Sequence, residues 1–300
     1  MGSFPQSIVH YLPVTDHDER WGIVCTTAGH QHVPPGTPYP VSEHPEHYLF
    51  YKGSGRTLDE YQLVYITAGR GRFESASCPS QTVEAGTMLL LFPNEWHSYS
   101  PDPGTGWTEW WVGFRGANID RLEQQGFLCR RRPLLRIGCS GGIERCYREI
   151  IGTVEEERVG FQPLISSIVL HILGSVLFKH SNLLYSDNPV VEKINRAKAI
   201  MRTDFGRNRS PEQIAREVGM GYTWFRRVFR EYVGMAPAQY QHTMRLNKAR
   251  ELLATTAHSI SEIAYALGFE SVSAFSLFFR LRERLSPSQY RARFRGGKGQ

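Results

Sequence analysis

The sequence predicts an α+β chain: an N-terminal β-barrel with a helical segment, then an all-α domain of two helix-turn-helix units. Three observations predict it. From about Tyr48 to Gly116, short β-rich runs are separated by glycine and proline, which argues for a small antiparallel barrel or sandwich. From Ile119 to Ser186, apolar residues recur at helical spacing. From Ser210 onward the chain repeats itself. Ser210 and Ser259, Ile214 and Ile263, Ala215 and Ala264, and Gly219 and Gly268 stand 49 apart, while Phe225 and Phe275, Phe229 and Phe279, and Tyr240 and Tyr290 stand 50 apart. One supersecondary unit used twice is the economical reading.

Residues 1 to about 45 are rich in proline, glycine, histidine and tyrosine, and read as an irregular arm with one or two edge strands. The barrel, over about 20–117, is assembled from HYLFYKG, EYQLVYITAG, GRFES, QTVEAG, TMLLLFP and WTEWWVGF. Helices follow over about 118–186, at IERCYREIIGTVEEE from Ile143 and LISSIVLHILGSVLF from Leu164. The second is apolar around much of its circumference, so it is buried either against the barrel and a partner subunit or wholly within its own domain. SDNP, from Ser186 to Pro189, is the natural linker, and divides 1–186 from 187–300. A helix then runs from near Val190 through Ala199.

In each repeat, over about 210–232 and 259–284, a serine N-cap is followed three residues later by Gln213 or Glu262, the spacing of a capping box. Ile214 and Ala215, like Ile263 and Ala264, face inward, and Gly219 and Gly268 supply the turn between helices. Phe225, Val228 and Phe229 share one face of the second helix, as do Phe275, Phe278 and Phe279. The opposite face carries Thr223, Arg226, Arg227 and Arg230, which suits a helix reading a DNA major groove. Thr223, Arg226 and Arg227 are assigned to base edges and Arg230 to the backbone. In the second unit Ser273 and Ser276 are small polar readers, Leu277 meets a thymine methyl, and Arg280 and Arg282 suit phosphates.

Composition agrees. The 300 residues are 41% hydrophobic and 21% charged, which excludes a disordered chain. Charge is split: Asn188 onward holds 20 Lys and Arg against 9 Asp and Glu, whereas residues 1–187 hold 15 against 20. A basic C-terminal part fits a polyanion-binding module joined to something that does not touch DNA. The 5 cysteines form no CxxC pair, so reduced structural thiols are expected. No apolar run approaches the length of a membrane span and Met1–Pro5 lacks the charged start of a secretory signal, so a cytoplasmic protein without membrane contact is expected.

These motifs carry a resemblance. The repeat, with RLNKARELL from Arg245 between its copies and SPSQYR from Ser286, resembles the paired helix-turn-helix domain of the AraC family of bacterial transcription regulators. Two positions depart from the family pattern. Arg284 stands where the family often has glycine, as Gly234 does in copy one, and Leu277 stands where an arginine is frequent. YQLVYITAGRGRF, GTMLLLFPNEWHSYSPD from Gly86 and WTEWWVGFRG resemble the cupin-type effector domain of sugar-responsive members. The resemblance implies double-stranded DNA, a small-molecule effector, RNA polymerase and a second copy of the chain as partners, with the helix at Leu164 in the dimer.

Strand alternation places His97 and Tyr99 on one face, and Glu109 and Trp111 on one face of a later strand. If both point inward, an aromatic ring, hydrogen-bonding tips and a carboxylate converge, the equipment for a polyhydroxylated ligand. Arg56, in GRTL, adds a bidentate donor. The resemblance places Arg56, His97, Tyr99 and Trp111 at or near sugar-contacting positions and His30 near another, with Glu109 replacing a histidine. It also implies that an arm at Ile8–Tyr11 and a loop near His30–Pro40 close over the ligand. Other readings stay open: Trp111 and Tyr99 as barrel filling with His97 a satisfied core histidine, a barrel that only dimerises, or one that senses a non-sugar metabolite. A metal-dependent cupin enzyme requires an HxH pair with converging Glu and His. The barrel strands lack one, since His30 and His32 lie in the arm and His44 and His47 in SEHPEH. No cofactor, metal or catalytic residue is expected.

Overall fold

A computed structural model describes residues 7–40, 55–183 and 189–295. The expected strand HYLFYKG, His44, His47 and all of the linker but Pro189 lie outside the described residues. The chain divides into two compact units, Met1–Leu184 and Tyr185–Gln300.

In the first unit, which also carries the short helices α1 (Asp16–Glu19) and α2 (Ala117–Gln124), β1 (Ser7–Tyr11), β2 (Val24–Val33), β7 (Trp107–Arg115), β3 (Tyr61–Ser75), β5 (Thr87–Leu91) and β8 (Leu134–Arg136) hydrogen-bond in that order. The long β3 turns the sheet on itself. Its first half pairs with β7 and β5, a bulge falls between Ile66 and Ala68, and its second half pairs with β4 (Cys78–Glu84) and β6 (His97–Pro101). An extra residue bends and twists a strand, so one segment serves both walls of the barrel. The N-terminal arm supplies one edge strand, β1, within the one or two expected, while β2 is interior, paired by β1 and β7. One expectation is corrected. The stretch after Ile119 is not wholly helical. β8 adds to β5 within it, and three residues are too few to show any period in the sequence.

Side chains of the sheet alternate between two cores. Val33, Val64, Ile66, Leu89, Trp107 and Trp111 fill the barrel, whereas Leu63, Tyr65, Trp110, Val112 and Phe114 face α3 (Gly141–Glu156) and α4 (Phe161–Leu183). A bulge between Cys25 and Thr27 leaves backbone groups that α4 satisfies. Cys25 N donates to Gln162 Oε1 over 3.1 Å, Gln162 Nε2 donates to Cys25 O over 2.9 Å, and Ser166 Oγ donates to Ile23 O over 3.0 Å. Contrary to expectation, α4 is long and apolar enough to cross a membrane. Ile165, Ile168, Val169, Ile172, Leu173 and Val176 account for much of that apolarity by packing in the core. The opposite stripe leaves Leu164, Leu170 and Phe178 exposed.

The second unit opens with α5 (Pro189–Thr203) and then repeats one design. In α6 (Pro211–Glu217) and α9 (Ile260–Ala266) both capping boxes close: Ser210 N donates to Gln213 Oε1 over 2.7 Å and Ser259 N to Glu262 Oε2 over 2.6 Å. Gly219 and Gly268 take φ of +67° and +74°, the left-handed turn that brings α7 (Tyr222–Val233) and α10 (Val272–Glu283) across α6 and α9. Phe225 and Phe229 fill one core, Phe275 and Phe279 the other. The connecting α8 (Pro237–Thr255) lends Tyr240 to the first core and Leu246, Ala249 and Leu253 to the second, with α11 (Pro287–Arg295) closing the chain.

Candidate functional site

Inside the barrel, Arg56 is held from two directions. Its backbone bridges His97 through a pair of 2.9 Å hydrogen bonds, Arg56 Nε donates to His97 Nε2 over 3.3 Å, and Arg56 Nη2 donates to Tyr99 OH over 2.8 Å. His97 Nδ1 lies 3.1 Å from the Glu95 carbonyl, so Nδ1 carries the proton and Nε2 is the acceptor. Burial, reinforced by the Arg56 charge, pulls the His97 imidazole down to about 3, which keeps it neutral. His97 thus works as a fixed acceptor that aims a guanidinium.

Glu109 faces the same space from β7, flanked on its own strand by Trp107 and Trp111. Its Oε1 accepts from Tyr39 OH over 3.3 Å, while Oε2 is buried and, among the described residues, completes no hydrogen bond. The Trp107 indole N–H leans toward the carboxylate, is buried too, and completes none either. Burial pushes the Glu109 carboxyl up to about 7, against the Arg56 charge and the Tyr39 hydroxyl, which act the other way. Trp111 lies flat on the strand beside it, because a Cβ at Gly29 would sit 2.2 Å from Trp111 Cζ2. Tyr39, Tyr99 and Trp107 complete the aromatic lining, with ring centroids 5.9 to 6.3 Å apart.

The structure therefore brings Arg56, His97, Tyr99, Glu109 and Trp111 to one interior. It does not bring His30. The β2–β7 register pairs His30 with Trp110 and Gln31 with Glu109, so His30 points to the helix-facing core, its ring 4.0 Å from that of Trp110. A slip of one residue in reading a strand reverses the face of every side chain on it. Gln31, buried at 3% exposure, takes the inward position instead. The arm is placed differently from the implied lid, since Ile8–Tyr11 is the paired strand β1. Four further residues belong to this interior that no motif in the sequence assigns to a site: Gln31, Tyr39, Glu60 and Trp107. Alternation along WTEWW marks Trp107, whereas Tyr39 reaches Glu109 across 70 positions and has no local signal. Among the described residues, no group of three His, Cys, Asp or Glu side chains is placed to hold a metal ion.

In the second unit Thr223, Arg226, Arg227 and Arg230 are exposed along α7, beside a Trp224 that is 40% exposed. Among the described residues these arginines enter no hydrogen bond or ion pair through their guanidiniums, which leaves them available to a polyanion. On α10, Ser273, Leu277 and Arg280 are exposed and Ser276 is half-buried. Arg282, also exposed, has its guanidinium over the Phe278 ring at 4.0 Å and donates to Phe278 O over 3.2 Å. Leu277 and Leu281, one turn apart at 61% and 72% exposure, give α10 an apolar outward edge where α7 has Arg227 and Glu231.

Two family models match the chain in order, an AraC-like ligand binding domain over residues 48–173 and a helix-turn-helix domain over residues 214–293. The Msm operon regulatory protein of Streptococcus mutans is 24% identical over 243 residues, which is 78% of this chain and 84% of that one. The raffinose operon transcriptional regulatory protein RafR of Pediococcus pentosaceus is 24% identical over 250 residues, covering 80% and 87%. The transcriptional activator RhaS of Salmonella paratyphi B is 29% identical over 245 residues, covering 78% and 85%. With a ligand-binding barrel ahead of two helix-turn-helix units, the chain belongs to the AraC family of DNA-binding transcription regulators.

Proposed function

We propose that the barrel of this regulator binds a sugar and that occupancy by the sugar changes how the protein acts on DNA. The observation that carries this is Glu109. A buried carboxylate oxygen without a donor is unfavourable, and a ligand hydroxyl is the group that relieves it. The aromatic faces of Trp111 and Tyr99 suit the C–H face of a pyranose, beside the Arg56 guanidinium. One of the relatives is, by name, the regulator of a raffinose operon, which supports the same class. The barrel performs no chemistry in this account: Glu109, His97 and Arg56 bind and orient. Thr223, Arg226 and Arg227 read base edges, Arg230 and Arg280 hold phosphates, and Ser273, Ser276 and Leu277 make lesser base contacts. The protein acts in the cytoplasm as a homodimer, pairing through the exposed stripe of α4, and meets RNA polymerase at its promoters.

The test is thermal unfolding of the full chain against neutral mono- and disaccharides, since a ligand that binds the folded state raises the melting temperature with occupancy. At least one sugar is expected to raise it in the native protein and to do nothing in Trp111→Ala. A flat response to every sugar contradicts the reading.

A further inference from the structure

The antiparallel register sets inward rows across the three central strands. Gln31, Glu109 and Ile66 form one row, Gly29, Trp111 and Val64 the next, and Thr27, Gly113 and Gln62 the third. These rows read polar, apolar, polar. The first holds the unpartnered Glu109 Oε2. In the third, Gln62 Nε2 donates to Glu60 Oε1 over 2.7 Å, and Gln62 Oε1 is itself buried without a hydrogen-bond partner. Thr26 and Thr27, doubled up by the bulge in β2, both turn their hydroxyls to Glu60. Gly113 is what makes room for this cluster, because a Cβ there would lie 2.3 Å from Glu60 Oε1.

Among the described residues, two buried acceptors thus lack donors on either side of the Trp111 row. Glu109 and Gly113 are four residues apart on β7, about 13 Å along the strand. That is too long for the hydroxyls of one pyranose ring and suits two joined rings. Buried acceptors are satisfied by donors, and the hydroxyls of an uncharged sugar supply them at both ends without bringing a new charge into the interior. Burial holds the Glu60 carboxyl above the usual range, against hydrogen bonds from Thr26 and Gln62, so this end also disfavours an anionic ligand.

We propose that Thr27, Glu60 and Gln62 form a second hydroxyl-binding subsite, and that the effector is an uncharged disaccharide lying along β7 across Trp111. This rests on the reading of the barrel as a sugar site. Isothermal titration of the full chain with maltose, cellobiose, lactose, melibiose and trehalose, and with D-glucose and D-galactose, tests it. One disaccharide is expected to bind at least about ten-fold more tightly than either of its component rings, as one added buried hydrogen-bond set provides. Gln62→Met is expected to remove about ten-fold of the affinity for that disaccharide and to leave the monosaccharide affinity within about two-fold. Thr27→Val gives the same split by a smaller change should Gln62→Met fail to fold. A monosaccharide that binds as tightly as any disaccharide, or a disaccharide affinity indifferent to both substitutions, overturns the second subsite and leaves the sugar reading standing. Silence from every sugar overturns both.

Discussion

Burial holds the Glu109 carboxyl at about 7, well above an unfolded carboxylate, so the folded chain binds more protons there than the unfolded one between about pH 4.3 and 7. The sign follows. The protonated form is the one the barrel tolerates, and stability is lost as pH rises through the folded value. Glu109→Gln removes the titration and keeps the shape. Its melting temperature relative to the native protein is expected to rise between pH 5 and 8, by an amount equivalent to roughly 2–3 kcal/mol. Parallel melting curves across that range contradict the assignment. Much of this chemistry was legible in the sequence, because alternation along WTEWW puts Glu109 with Trp111, and along HSY puts His97 with Tyr99. What alternation does not give is the phase of β2 against β7, and that phase turns Gln31 rather than His30, which the family resemblance implied, into the barrel. Tyr39 and Glu60 meet the site through contacts distant in sequence, with no periodic pattern to announce them.

At the level of elements, α7 and α10 are two copies of one helix that have drifted in their endings and their outward faces. Gly234 ends α7 at φ +81°, and Arg284 ends α10 in the same left-handed region at φ +58°. A side chain there costs about 1 kcal/mol relative to glycine. Arg284→Gly is therefore expected to stabilise the second helix-turn-helix by roughly 0.5–1 kcal/mol in urea unfolding, and a loss of stability contradicts it. The repeat made these helices readable, since caps, turn glycines and core phenylalanines recur at fixed spacing. The outward faces were less so, because exposure at Leu281 and the stacking of Arg282 on Phe278 depend on how the helices pack. The division of labour between copies is testable. Arg227→Ala should relax base preference by about 1–3 kcal/mol at one position, whereas Arg280→Ala should weaken binding to all sequences and lower the salt slope by about 1. Equal loss of discrimination from both substitutions contradicts it.

At the level of the whole molecule, the proposed homodimer ties the exposed stripe of α4 to DNA binding, since two copies of the chain would each bring two DNA-reading helices. Leu164, Leu170 and Phe178 are large apolar side chains left in water by the single chain. Phe178→Glu is expected to shift the sedimentation coefficient from dimer to monomer while the melting temperature of the barrel stays the same, and an unchanged coefficient removes α4 from the interface. The ligand in the barrel has consequences for DNA only if it binds one arrangement of the protein more tightly than another. The most direct measurement is selection of duplexes from a random pool by the full chain at two salt concentrations, followed by sequencing. Enriched half-sites are expected to carry two boxes about one helical turn apart, the box read by α7 more constrained than the box read by α10, with affinity that falls steeply with salt. A single box, or no enrichment over the starting pool, contradicts it.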